Sequence, residues 1–189
     1  MHSINQYLAD ALKTARTQKG WSLDKASQAT GVSKAMLGQI ERGESSPTIA
    51  TLWKIASGFN ISLSNFLAPS LVEEGAVFRS ANTLRQQPAS DGMLVAMLFP
   101  YESRFGFEMY ELTLLPGYER ISEPHETGVT EHIVVISGDM EVLIDEQWLP
   151  LASGEAVRFA ADQAHGYRNL TNLPVVFHDV IHYQRSGNN

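Results

Sequence analysis

Apolar side chains recur at helical spacing near the start of the chain, at Ile4, Leu8, Ala11, Leu12 and Ala15. This predicts a first helix, capped by Ser3 and stopped by Gly20. Residues 22–41 then read as two short helices about a tight turn. Leu23, Ala26 and Ser27 share a face of the first, and Gly31 closes it. Val32 plugs the turn, and Ser33 caps the second, with Met36, Leu37 and Ile40 expected inward. Glycine readily adopts the left-handed turn that ends a helix, and a serine hydroxyl accepts a free amide where the next begins. After Gly43 and a GESSP loop, Pro47 and Thr48 open a fourth helix that buries Leu52, Ile55 and Ala56. Residues 62–67 predict a short fifth.

The helical period is lost beyond this point. Residues 69–92 are rich in Pro, Gly, Ser and charge and read as a linker, with one short candidate strand at 76–79. Thereafter the period becomes two. Residues 93–99, 107–115, 132–138, 140–145, 155–161 and 175–183 are strand-like and separated by turn residues. Strands with no helix between them predict a closed barrel or sandwich. The expected fold class is therefore α+β in two domains: a five-helix bundle over 1–68, a linker over 69–92 and an all-β barrel over 93–189.

The chain has 189 residues, no cysteine and a formal net charge of −7. The missing cysteines exclude disulfides, thiolate metal sites and cysteine nucleophiles. No apolar run reaches the roughly 20 residues that span a bilayer, and no export signal is visible, so a cytoplasmic protein with no membrane partner is expected. The charge is uneven. Residues 1–68 hold 7 Lys/Arg against 4 Asp/Glu, whereas 69–189 hold 7 Arg against 17 Asp/Glu. A basic module facing phosphate, joined to an acidic one that phosphate repels, accounts for the split.

The two-helix unit has the shape of a DNA-reading helix-turn-helix. Leu8, Leu12, Arg16, Gly20, Ser22, Ala26, Gly31, Val32, Ser33, Ile40, Glu41, Gly43, Pro47, Thr51, Leu52, Ile55 and Ala56 carry a resemblance to the lambda-repressor-like (XRE-type) domain. That family implies a third helix in the major groove. The outward side chains expected near its start are Ser33, Lys34, Ala35, Gly38 and Gln39. Lysine can donate to guanine, glutamine can pair with adenine, and Ala35 can meet a thymine methyl. Ser22, Arg42 and Ser45 suit phosphate contacts. Glu41 is expected to bind Arg16 rather than DNA. One such domain presents a small interface, so a homodimer on a two-fold double-stranded operator is expected, joined through the barrel.

Five of the six histidines lie between 125 and 182. The stretch 117–138 resembles the first cupin motif, with Gly117, His125, Glu131 and Gly138 at its positions. Glu123 stands where the family has its first histidine, and the gap from His125 to Glu131 is one residue longer than usual. The stretch 154–169 resembles the second motif through Gly154, His165 and Asn169, with Ala160 and Asp162 in place of proline and glycine. The resemblance implies a double-stranded β-helix barrel and a divalent metal site of His125, Glu131 and His165, with Glu123 as a fourth candidate. Two imidazoles and carboxylate oxygen suit zinc first, then iron, nickel or manganese. A metal-free pocket, with both imidazoles hydrogen-bonded to Glu131, is the alternative. His132 is expected on the opposite strand face from Glu131. For an organic effector the candidates are Arg120 and Arg158 to hold a carboxylate, with Tyr110, Tyr118 and His178 as further contacts. Surface exposure is the ordinary state of arginine and rim or core packing that of such histidines.

The combination is similar to metabolite-responsive bacterial regulators, and within them to a group linked to sulfur utilisation. It implies a non-enzymatic transcriptional regulator whose effector is a sulfur compound or amino acid. The alternative is a non-haem iron enzyme. Two histidines and one carboxylate also hold iron for oxygen chemistry, as in a hydroxypropylphosphonate epoxidase that likewise joins a helix-turn-helix to a cupin.

Overall fold

The computed structural model describes residues 4–67, 76–85 and 92–184. The Ser3 cap, the packing of Ile4 and most of the linker fall outside the described residues and side chains. The chain forms two compact units, one helical through residue 67, the other containing 76–85 and 92–184.

The helical unit consists of α1 (Ile4–Gln18), α2 (Leu23–Thr30), α3 (Lys34–Glu41), α4 (Ile49–Phe59) and α5 (Ser64–Leu67). Its boundaries follow from capping chemistry. Ser22, Ser33 and Thr48 each accept the amide three residues ahead, from Lys25, Met36 and Thr51. Gly31 ends α2 at φ 67°. Leu12, Leu37, Ile40, Ile49, Leu52, Ile55 and Phe59 are almost fully buried. Each such side chain contributes about 1.5–3 kcal/mol relative to exposure. Arg16 fastens α1 to α3 by two hydrogen bonds to Glu41, at 2.6 and 2.8 Å, and donates to the Trp21 carbonyl. Gly58 lets α4 lie directly on α2. A Cβ there would sit 2.6 Å from the Ala29 carbonyl oxygen and 2.6 Å from Thr30 Cα.

The second unit begins with a single helical turn, α6 (Ala81–Leu84), and the candidate strand at 76–79 is irregular chain instead. Among the described residues nine strands follow: β1 (Met93–Glu102), β2 (Phe107–Leu114), β3 (Glu119–Ser122), β4 (Thr130–Ser137), β5 (Met140–Ile144), β6 (Gln147–Leu151), β7 (Ala156–Ala160), β8 (His165–Arg168) and β9 (Val175–His182). The six expected strands are present, and β3, β6 and β8 are added to them. The strands form two sheets, ordered β1-β2-β9-β4-β7 and β3-β8-β5-β6.

Antiparallel register fixes which residues share a level inside the barrel. In the larger sheet, Ile181 pairs with Glu108 on one side and Glu131 on the other. Two residues along, Asp179 pairs with Tyr110 and Ile133. In the smaller sheet, Tyr167 pairs with Arg120 and Val142, while His165 pairs with Ser122. All of these side chains are buried. Strand alternation thus turns an unusual number of polar groups inward.

Candidate functional site

The first candidate site is the exposed side of α3. Lys34, Ala35, Met36 and Gln39 face solvent, while Leu37, Gly38 and Ile40 are buried. This corrects two expectations. Met36 is 39% exposed, so it lies on the solvent side of α3 rather than in the core. Gly38 faces inward, where a Cβ would meet Leu23 at 3.8 Å and the Arg42 guanidinium at 3.1 Å. Leu23 on α2 occupies the side of α3 that a longer residue at 38 would claim.

Two cations beside this surface rest on weak local partners. Lys34 donates to Asp24 at 2.8 Å, and Arg42 to Glu44 at 2.7 and 2.9 Å. All four side chains are more than half exposed, and exposed pairs are worth about 0–1 kcal/mol. A phosphate or base edge displaces such partners readily. Ser33 and Ser22 are exposed, their hydroxyls already capping α3 and α2; Ser45 is half-buried in the following loop. Asp24 in the first turn of α2 opposes an anion at that end, which counts against Ser22 as a phosphate contact.

The second candidate site lies inside the barrel. His125 precedes β4, Glu131 lies on β4 and His165 opens β8, and their ligand atoms all lie within 4.8 Å of one another. His125 Nε2 is 2.9 Å and His165 Nε2 3.3 Å from Glu131 Oε1. The two rings stack at 5.3 Å between centroids. His165 Nδ1 lies 2.9 Å from the Gln163 carbonyl, which fixes a proton there and turns Nε2 toward Glu131. The Tyr167 hydroxyl donates to the other oxygen of Glu131. Burial works to raise the Glu131 carboxyl, but the hydrogen bonds and charges of His125 and His165 outweigh it and hold the group well below the usual carboxylate range. Burial lowers His165, and its hydrogen bond to Glu131 overcomes this to leave it raised.

The donor set suits a divalent cation. A tetrahedral metal about 2.0–2.2 Å from each donor needs donors roughly 3.3–3.6 Å apart; the 3.3 Å from Glu131 to His165 meets this, and the 2.9 Å to His125 falls short of it. The hydrogen bonds with Gln163 and Tyr167 are of the kind that hold metal-ligating groups in place. Glu123 does not join them. Alternation along β3 turns Arg120 and Ser122 inward, and Glu123 beyond them is exposed.

The effector candidates separate by strand face. Arg120 is only 7% exposed and points inward, contrary to the ordinary state of arginine, with Met93 Sδ 3.9 Å from its guanidinium. Arg158 is exposed, because its neighbour Phe159 takes the inward position. Tyr110 is fully buried and donates to Glu108 at 2.9 Å. Tyr118 is half-buried against Gly92. His178 lies on the outer face, 3.6 Å from Glu111, and Asp179 next to it points inward. His132 is likewise on the outer side of β4.

The inward groups missed in the sequence are Glu108, Tyr167 and Asp179. Counting by twos from Glu131 and His165 through the strand pairs would have reached them. Glu108 accepts from Tyr110 and, at 2.6 Å, from Tyr183. Burial, then the charges of Glu131 and Glu108, push the Asp179 carboxyl well above its ordinary value against the opposing effect of Arg120.

Known proteins match both units. Residues 12–66 match the helix-turn-helix family and residues 110–181 the cupin domain family. The chain is 47% identical to the HTH-type transcriptional regulator SutR of Escherichia coli K12 over 98% of this chain and 100% of that one. It is 26% identical to the HTH-type transcriptional regulator PuuR of the same organism, over 85% of this chain and 86% of that one. A crystal structure of an HTH_3 family transcriptional regulator from Vibrio cholerae superposes with a TM-score of 0.81 at 46% identity. It covers 96% of this chain and 98% of that one.

Proposed function

This chain belongs to the HTH-type transcriptional regulators that join an XRE-type helix-turn-helix to a cupin domain, and we propose that its barrel senses a metal and a small metabolite and thereby controls how a dimer reads DNA. It is a DNA-binding regulator and not an enzyme. The operator is two-fold, and Lys34, Ala35, Met36 and Gln39 of each protomer read its bases. His125, Glu131 and His165 hold a divalent metal, zinc before iron, nickel or manganese. The metal fixes the three side chains and lends the interior a positive charge. The metabolite is a sulfur compound or an amino acid, and Arg120 is its partner for a carboxylate.

The observation that carries this reading is the convergence of two imidazoles and a carboxylate, with their outer hydrogen bonds made, in a chain whose other unit presents a capped and exposed reading helix. Control requires that the ligand bind two arrangements of the dimer with different affinity. Elemental analysis of the purified protein tests the site. About one equivalent of metal is expected in the wild type and almost none in His125→Ala/His165→Ala. Equal metal content in both would remove the assignment.

A further inference from the structure

We propose that the barrel interior contains a subsite for a protonated amine centred on Asp179, so that the effector carries a primary ammonium group. This rests on the reading of the barrel as the sensor, and it specifies the chemistry of what is sensed.

β9 carries Asp179 to the inner face, level with Tyr110 on β2 and Ile133 on β4. Its side chain is buried in a residue only 1% exposed, and Oδ1 has no hydrogen-bond partner among the described residues. A buried carboxylate oxygen rarely stays unbonded in a native interior, and each exception calls for a missing partner. The neighbouring donors are committed elsewhere. Tyr110 and Tyr183 donate to Glu108, and Tyr167 to Glu131. Three inward carboxylates, Glu108, Glu131 and Asp179, therefore face one buried guanidinium, Arg120. A metal held by His125, Glu131 and His165 answers only Glu131, because Asp179 lies outside that cluster.

The missing partner is a hydrogen-bond donor, and a donor that is also a cation would draw Asp179 into its ionised form and offset the excess of carboxylates. A second metal fits poorly, since one carboxylate flanked by Ile133 offers too few ligands. An ammonium group needs only a carboxylate acceptor and tolerates an apolar neighbour for its carbon chain. Arg120, buried on the facing sheet, supplies the opposite pole for a carboxylate. An α-amino acid is the simplest molecule that matches both.

The test is a titration of the full-length, zinc-loaded protein with each of the twenty common amino acids and its N-acetyl counterpart, followed by calorimetry and thermal melting. At least one free amino acid is expected to bind saturably and raise the melting temperature, while its N-acetyl form, which lacks the cation, does not. Asp179→Asn is expected to weaken that amino acid about tenfold or more, as loss of a charge-assisted hydrogen bond implies. The same variant should keep its zinc and, without ligand, melt close to the wild type, because burial already holds the Asp179 carboxyl largely uncharged. Equal binding of the N-acetyl form, unchanged binding in Asp179→Asn, or no binding by any of the twenty overturns the assignment. The acetyl comparison uses the wild type and needs no variant to fold. An amino acid that binds through Asp179 without altering operator affinity would leave the subsite intact and defeat the sensor reading alone.

Discussion

Two glycines in the DNA-reading unit predict alanine substitutions of opposite sign. Replacing a helical glycine with alanine ordinarily stabilises by about 0.5–1 kcal/mol. At Gly58 the added methyl would meet the Ala29 carbonyl oxygen and Thr30 Cα, both at 2.6 Å, and Thr30 Cγ2 at 2.8 Å. Two of these are backbone atoms of α2, so relief requires moving the helix end. That end also carries the turn, since Thr30 Oγ1 donates to Ala26 and accepts from the Val32 amide. Overpacking of this kind costs about 1–3 kcal/mol. Contacts this short call for the upper end, leaving a net loss of about 2 kcal/mol. At Gly38 the nearest atom is the Arg42 guanidinium at 3.1 Å. That arginine is exposed and can swing aside, so Gly38→Ala is expected to gain about 0.5–1 kcal/mol. A Trp148→Phe background leaves Trp21 and Trp53, both in the helical unit, as fluorescence reporters of urea unfolding. With a slope near 1 kcal/mol/M for so small a unit, Gly58→Ala should lower the midpoint by about 2 M and Gly38→Ala raise it by about 0.5–1 M. A midpoint for Gly58→Ala at or above the parent would refute the close crossing of α2 and α4.

Lys34→Ala and Gln39→Ala should each weaken operator binding by about 1–3 kcal/mol and relax preference at one base pair, measured on selected DNA by fluorescence anisotropy. Tyr167→Phe removes the donor to Glu131 and should lower zinc affinity about 10–100-fold in competition with a chelator. Asn169 is fully buried, donates to the Leu114 and Leu173 carbonyls and accepts from Thr171. Asn169→Ala should cost the barrel about 2–4 kcal/mol of stability in chemical denaturation.

The helical unit was legible because its signals are local. Ser22, Gly31, Ser33 and Thr48 each mark a helix end by a hydrogen bond or turn within a few residues. Met36 and Gly38 were exchanged because hydrophobicity stands in for burial in a sequence. The crossing with Leu23 decides the phase of α3, and that is a tertiary fact. In the barrel, β3, β6 and β8 are four or five residues long and carry charge, proline or glycine, too little for a period of two to register. The interior misled in a different way. Along β2 the inward residues include Glu108 and Tyr110, while Phe107 and Met109 are half-buried. A polar interior reverses the rule that apolar residues point inward, so the sequence passes over Asp179 and offers His178 beside it as an effector contact. His125, Glu131 and His165 escaped this only because motif spacing, not polarity, picked them out.

The claim that the barrel governs the reading helix is tested most directly by operator affinity with and without zinc, in the wild type and in His125→Ala/His165→Ala. The account predicts that zinc changes wild-type affinity by about tenfold, a coupling of about 1.4 kcal/mol, and leaves the double variant unchanged although it still binds DNA. Identical wild-type affinity in both states, or an equal response from the double variant, would contradict it.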